Sequence, residues 1–344
     1  MAGTFPQAEN TIIPLFENSA HLTVSYARNP KSFSLNKYSA QRSVPSTIGT
    51  FLKLDPKDAH RIPNDARWAP GTVRPQEPAN KQGFTTDTFF AKRYTYPVLL
   101  DGLSIDLANF DVTKVHTAKL AEQAMLNRTK QALGVYLAEA NYDADQIVTA
   151  ATAGGGFLNA GNTANPYLQT ALQYGAEIIE GKTGLVLPGQ ISVLISHKTA
   201  RKLGRSRELR EFQMQSPQAS GLITGEDAKL YGQYGIPPTL FGFPVVIENA
   251  FANTGTKDHA TLDVNSFIDS TLDNALYLFV REGDLMKSEH DLAVSSWTQF
   301  TYEDLKAEAR QDVWNRLTEF AVTDHFDAKI TAKETVVKIK NIFS

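Results

Sequence analysis

Phe84-Thr85-Thr86-Asp87-Thr88-Phe89-Phe90-Ala91-Lys92-Arg93-Tyr94-Thr95-Tyr96-Pro97-Val98-Leu99-Leu100 is the stretch on which the fold turns. Its even positions carry Phe84, Thr86, Thr88, Phe90, Tyr94, Tyr96, Val98 and Leu100, interrupted mainly by Lys92. Odd positions mix Asp87, Arg93 and Thr95 with Phe89 and Leu99. A period of two predicts a β-strand, because successive side chains leave opposite faces of the backbone. At about 3.3 Å per residue, one unbroken strand here exceeds about 45 Å, far beyond the usual ~5–6 residues. A compact domain of this size cannot cover such a strand along its whole length.

Upstream, Ile48 to Leu54 is a second β-like segment, and Pro56 to Gly83 between the two is polar and rich in Pro (Pro63, Pro70, Pro75, Pro78). Together they predict a long two-stranded arm with a loose tip. The alternative is two strands of one ordinary sheet joined by a long loop. An isolated two-stranded ribbon is marginal in water, so such an arm needs a partner surface. The first 45 residues, polar and dotted with Pro6, Pro14 and Pro30, read as an extended arm or as a disordered terminus.

Downstream, Asp111 can cap a helix from about Val112 to Ala140. Val115, Ala118, Met125, Leu126, Ala132, Leu133, Tyr136, Leu137 and Ala140 form its apolar arc. At 1.5 Å per residue the helix reaches about 40 Å and forms a spine. Gly154-Gly155-Gly156 marks a hinge. From Pro166 the pattern alternates between helix and strand. Leu168, Leu172, Ala176 and Ile179 make a helical stripe stopped at Gly181, Ile191 to Ile195 a strand, and His197 to Phe212 a basic helix. Gly242 to Glu248 and Ala275 to Val280 read as strands, Tyr302 to Arg310 as helix or strand, and Val336-Val337-Lys338-Ile339-Lys340 as a terminal strand.

Composition narrows the function. The chain has 344 residues, 42% of them hydrophobic, with 19 Phe, 12 Tyr and a net charge of −3. A sizeable core is within reach, and near-neutral charge argues against a dedicated nucleic-acid binder. The absence of Cys excludes disulfides, zinc fingers, iron–sulfur ligation and thiol catalysis. Met1 to Ser19 has no signal-peptide pattern, and no run approaches the ~18 apolar residues of a membrane span, so a soluble intracellular protein is expected.

Motifs that could carry chemistry fall short. Gly181-Lys182-Thr183 resembles the end of a phosphate-binding loop, but Ala176 stands where the motif needs Gly, and a helix rather than a strand precedes it. Ala153-Gly154-Gly155-Gly156-Phe157 lacks dinucleotide-binding spacing. The seven histidines, His21, His60, His116, His197, His259, His290 and His325, are scattered. Asp324-His325-Phe326-Asp327 is the tightest carboxylate–imidazole cluster and reads as a surface turn rather than a metal site. The basic run from His197 to Arg210 could touch phosphates, but Glu208 and Glu211 dilute it, and a solvated helix face is the preferred reading. No residue is assigned a catalytic, cofactor-binding or metal-binding role, and no cofactor is expected.

As a whole the chain resembles the major capsid proteins of tailed bacteriophages, the HK97-type fold. Four stretches carry the resemblance besides the order of elements. Arg67-Trp68-Ala69-Pro70-Gly71-Thr72 sits in the extended loop, with Trp68 an insertion against the family's pattern. Ser192-Val193-Leu194-Ile195-Ser196 followed by Ala200 to Leu209 looks like the opening of an axial domain. Leu222-Ile223-Thr224-Gly225-Glu226-Asp227-Ala228-Lys229-Leu230-Tyr231-Gly232 resembles the family's Thr-x-Glu-x-Ala-x-Leu-(aromatic)-Gly element, and Glu334 to Ile342 its final peripheral strand. The resemblance implies an α+β fold: N-terminal arm 1–45, extended β-hairpin loop 46–100, peripheral domain with spine helix 101–155 and 286–344, and axial domain 156–285.

The same resemblance implies a structural, non-enzymatic subunit that forms pentamers and hexamers and tiles an icosahedral head around double-stranded DNA. DNA would be met only by weak non-specific contact, and no membrane is involved. Scaffolding, portal and possible decoration proteins are the implied partners, with assembly in the host cytoplasm and residence in the virion. No long scaffolding segment precedes the arm, which implies a separate scaffold or a trimmed chain. Some relatives join a Lys to an Asn of a neighbour; Lys81 is a candidate donor, but no catalytic carboxylate accompanies it and crosslinking is not expected. An encapsulin-like compartment shell is the same-fold alternative, and a monomeric α/β enzyme using Gly154–Gly156 the alternative of another class.

Overall fold

The computed structural model describes residues 29–54, 70–71, 73, 84–101, 111–151, 168–184, 189–209, 211, 233–253, 264–266, 274–281, 294–312 and 317–343. Within it the long alternation of residues 84–100 becomes two elements instead of one. Strand β2 (Ile48–Leu54) pairs antiparallel with β3 (Phe84–Phe90), from Ile48 opposite Phe90 to Leu54 opposite Phe84. At Ala91, whose N–H donates to the Thr47 carbonyl at 2.7 Å, the chain changes partner. Strand β4 (Lys92–Asp101) then pairs with β13 (Leu317–Ile330), Lys92 opposite Phe326 and Asp101 opposite Leu317. The expected single strand is therefore corrected to a ribbon strand and a sheet strand. The main interruption of the alternation, Lys92, falls at this switch, but a single lysine does not show that the strand changes partner.

β4 and β13 belong to a four-stranded sheet with β1 (Ala40–Ser43) and β12 (Trp297–Asp312), in the order β1-β12-β13-β4. β1 joins parallel and the rest are antiparallel. β1 stops opposite Thr301, and beyond it no described strand pairs with the outer edge of β12. Helix α2 (Val112–Tyr136) lies on one face of this sheet. Leu120 and Ala124 meet Val322 there, with Tyr96, Val98, Leu305 and Phe320 around them. Tyr96 and Val98 are even positions of the opening stretch, so in its β4 half the even side chains turn to the core. In β3, by contrast, the odd Phe89 is buried and the even Phe90 exposed. Asp111 caps the helix, accepting from Lys114 N at 2.9 Å. The helix closes at Tyr136 rather than Ala140, with Leu137 N–H bonded to the Leu133 carbonyl.

A six-stranded sheet forms the other half. Its strands are β5 (Ile147–Thr149), β14 (Val337–Lys340), β11 (Ala275–Val280), β6 (Ile191–Ser196), β8 (Phe243–Glu248) and β7 (Thr239–Leu240), in that spatial order. Helices α3 (Leu168–Thr183) and α4 (His197–Gly204) cover one face: Leu172, Ile179, Ala200 and Leu203 share a core with Val193, Ile195, Leu278 and Ile339. The short strands β9 (Phe251–Asn253) and β10 (Val264–Ser266) pair beside it. Two expectations change here. The closing strand β14 lies between β5 and β11, not in the sheet that carries the spine helix. Helix α3 runs through Gly181 to Thr183, and Gly184 just after it adopts φ +68 and donates to the Glu180 carbonyl at 2.7 Å. Glycine enters that left-handed conformation without a Cβ clash.

Aromatic packing joins the halves. Trp297, fully buried at the start of β12, stacks on Phe279 of β11 at 4.9 Å and on Tyr136 of α2 at 5.2 Å, and meets Tyr38 edge-on. Its indole N–H donates to Tyr142 Oη at 2.9 Å. Tyr38 ends the short helix α1 (Leu35–Tyr38), and Phe33, Leu35 and Tyr38 are all buried. Part of the expected free arm is thus a packed strap over residues 29–43, because its aromatic side chains fill the junction. Residues 1–28 lie outside the described set.

Candidate functional site

The β2–β3 ribbon has two unlike faces. On the inner face Phe51 and Phe89 rest on Phe300 of β12, with ring centroids 5.1 and 4.6 Å away and the Phe89 ring nearly parallel to it. Such pairs contribute about 0.5–1.5 kcal/mol each beyond area burial. Gly49, opposite Phe89, makes room for that ring: a Cβ on Gly49 would come within 2.5 Å of it. Polar contacts add direction. Phe90 N–H donates to Asp327 Oδ2 at 2.8 Å, and Lys53 Nζ reaches Asp87 at 2.9 Å and the Ile330 carbonyl at 3.2 Å. Burial opposes the Asp87 charge, but Lys53 and the Thr88 N–H outweigh it and hold the carboxyl below its ordinary range.

The outer face is apolar and open. Ile48, Leu52 and Phe90 are 61%, 68% and 51% exposed. By register all three lie on one side of the ribbon, around Thr50, Thr86 and Thr88. A grouped apolar face in water marks a contact surface. The ribbon is therefore docked on its own subunit on one side and uncovered on the other.

Beneath the sheet, on the helix side, sits a buried ion pair. Arg128 of α2 donates through Nε to Asp324 Oδ2 at 2.9 Å and through Nη2 to Asp324 Oδ1, and Nη2 also reaches the exposed Asp304 at 3.0 Å. Arg128 and Asp324 are each buried. Burial works against the guanidinium charge, but the two carboxylates outweigh it and hold the Arg128 pKa above the ordinary value. The pair ties the helix to the hairpin of β12 and β13. Sequence reading missed it, although one signal was present. Arg128 follows Met125 by three and precedes Ala132 by four, which puts an arginine on the buried stripe.

The residues singled out from sequence are dispersed. Asp324-His325-Phe326-Asp327 is no surface turn: it lies in the middle of β13, where pairing with both neighbours makes strand the only continuous hydrogen-bonding solution. Asp324 serves Arg128 on one face, Asp327 serves the ribbon on the other, and His325 Nδ1 sits 3.2 Å from Glu303. Gly181-Lys182-Thr183 forms the last turn of α3, with Lys182 bound to Asp143 and Asp145 at 3.0 and 2.9 Å.

The basic helix stops at Gly204, short of Phe212. Lys198, Arg201, Lys202 and Arg205 stand exposed around it. Glu208 does not dilute their charge as expected, for it is half-buried and caps α3, accepting from Leu168 N at 2.6 Å and Gln169 N at 3.3 Å. His21, His60, Lys81, Gly154–Gly156, Leu222–Gly232, His259 and His290 lie outside the described residues. Among the described residues no group of three His, Asp or Glu could hold a metal ion, and no helix is long and apolar enough to cross a membrane.

No protein-family model matches the sequence, and no curated protein does. Solved structures do match. A phage-related protein from Bordetella bronchiseptica RB50 superposes with TM-score 0.59 at 12% identity, covering 91% of this chain and 93% of that one. The capsid of the cyanophage P-SCSP1u gives 0.59 at 12% identity, with 97% and 94% covered. The mature capsid of bacteriophage PhiM1 gives 0.56 at 14% identity, with 94% and 90% covered. In each case the likeness covers at least 90% of both chains, and it is a likeness of fold.

Proposed function

We propose that this chain, which has the HK97-type fold of those phage structures, is the major capsid protein of a tailed phage, a non-enzymatic shell subunit. One observation carries the reading: the outward face of the β2–β3 ribbon presents Ile48, Leu52 and Phe90 to water on a two-stranded element that its own subunit covers on only one side. A second copy supplies the missing cover. In a closed shell every copy both gives and receives that contact. Pentamers and hexamers tiling an icosahedral head around double-stranded DNA follow from the same reading. So do assembly in the host cytoplasm, residence in the virion, and scaffolding, portal and decoration partners. Within residues 46–100 the β2–β3 ribbon acts as the extended loop, while β4 belongs to the four-stranded sheet. The α2 layer is the centre of the peripheral domain (101–155 and 286–344) and the six-stranded sheet that of the axial domain (156–285), with β5 and β14 reaching across from the peripheral segments.

The test is assembly of the purified full-length chain, followed by light scattering and negative-stain microscopy. Wild type is expected to form closed shells. Ile48→Ser, Leu52→Ser and Phe90→Ser together are expected to abolish shells while leaving far-UV circular dichroism and the melting transition unchanged. Wild type that stays monomeric or dimeric at every concentration and salt overturns the reading, and so does a triple variant that assembles normally.

A further inference from the structure

Glu248 ends β8 with its side chain wholly buried. Oε1 accepts the N–H groups of Asn249 and Ala250 at 2.9 and 2.8 Å. Oε2 has no hydrogen-bond partner at ordinary geometry; it is turned toward the strap, where Ser34 and the buried, equally unpartnered hydroxyl of Tyr38 face it. Next to it Asn249 grips the same strap. Its Oδ1 accepts from Ser34 Oγ at 3.2 Å and Ser34 N at 3.4 Å, and its Nδ2 donates to the Ser32 carbonyl at 3.2 Å. Glu248 and Asn249 thus form a clasp over residues 32–38.

The groups that face Glu248 are neutral. They are Ser34 of the strap, Tyr38 of α1 with Tyr136 of α2 behind it, and the backbone of Asn249 and Ala250. The groups that act most strongly on it include no cation. An ionised carboxylate sealed in such a place neutralises rather than remain unpaired. We infer that Glu248 is a proton-operated catch: with its proton it seats the strap against β8, and on losing it to solvent it pushes the strap away. The strap continues into β1, Val44 N–H binds the Thr301 carbonyl at 2.9 Å, and the ribbon begins at Ile48, so the catch also governs the tether of the ribbon.

The sign follows from burial. Desolvation, only partly offset by the hydrogen bonds, raises the carboxyl above its ordinary value. The closed strap therefore holds one proton more than the open strap between the ordinary and the raised pKa. Closure is fully favoured below the ordinary value and is lost as pH rises through the raised one. In that window the opening constant should increase about tenfold per pH unit.

Hydrogen–deuterium exchange of residues 29–43 in the full-length chain, corrected for intrinsic rates, reads that constant directly. Wild type should show the rise, and Glu248→Gln should show a flat and lower opening constant. A flat wild-type profile, or a Glu248→Gln profile as steep as wild type, overturns the catch. Should Glu248→Gln fail to fold, infrared spectroscopy of wild type, followed as pH rises from the ordinary carboxyl range, decides. A protonated carboxyl band that persists above the ordinary carboxyl range and disappears as the strap opens supports the inference, and a band lost within the ordinary range overturns it. Neither readout depends on shell formation, so the catch can fail while the capsid reading stands, and the reverse.

Discussion

Arg128 and Asp324 are 196 positions apart in sequence and form a two-point contact inside the protein. Removing one partner leaves an uncompensated buried charge. Arg128→Leu is therefore expected to lower stability by about 3–5 kcal/mol, seen as a drop in the urea midpoint with little change in slope. Replacing both residues by apolar ones of similar volume should recover most of that loss, since the desolvation of both charges also disappears. At this scale the sequence is least legible. The spacing of Arg128 marks it as buried, but nothing local names Asp324 as its partner, and a Asp-His-Phe-Asp run with polar ends reads as a turn until β12 and β4 are seen on either side of it. Phe300 and Gly49 share that difficulty, because a glycine beneath a cross-strand phenylalanine is visible only once register is known.

Elements were more legible where their own ends or periods define them. Helix α2 follows from the Asp111 cap and its apolar arc, and β2, β6, β8, β11 and β14 follow from short apolar or alternating runs. Misreadings occurred where tertiary partners decide. Residues 84–100 divide at Ala91 because β13 takes over pairing, and the strap folds inward because Phe33, Leu35 and Tyr38 find an aromatic junction. The ribbon itself yields a prediction at this scale. Gly49→Val forces a branched side chain into the Phe89 ring and should unseat Phe89 from Phe300, at a cost of about 1–3 kcal/mol in docking. Exchange of residues 48–54 and 84–90 should accelerate while α2 stays protected. Uniform loss of protection across both would show that the ribbon is part of the central core.

For the whole molecule, two sheets share one aromatic seam, and the parts that leave that seam are those that look outward: the ribbon and the distal half of β12. Past Thr301 the outer edge of β12 carries hydrogen-bonding groups with no described strand beside them, while Glu303, Asp304, Lys306, Glu308 and Arg310 punctuate it. Lys306 is further held among Glu303 and Glu308. Adding a flat strand there means stripping water from each of these charges. Lys306→Val, Glu308→Val and Arg310→Val together should convert orderly particles into fibrils or sheets, detected by thioflavin fluorescence and microscopy; unchanged particles would show the charges are idle. On the proposed shell reading, these charges are what keeps a subunit with an open apolar face from polymerising end over end. Growth, on that reading, runs through a greasy face that closes on itself, and the charged strand margin is the direction in which it is discouraged.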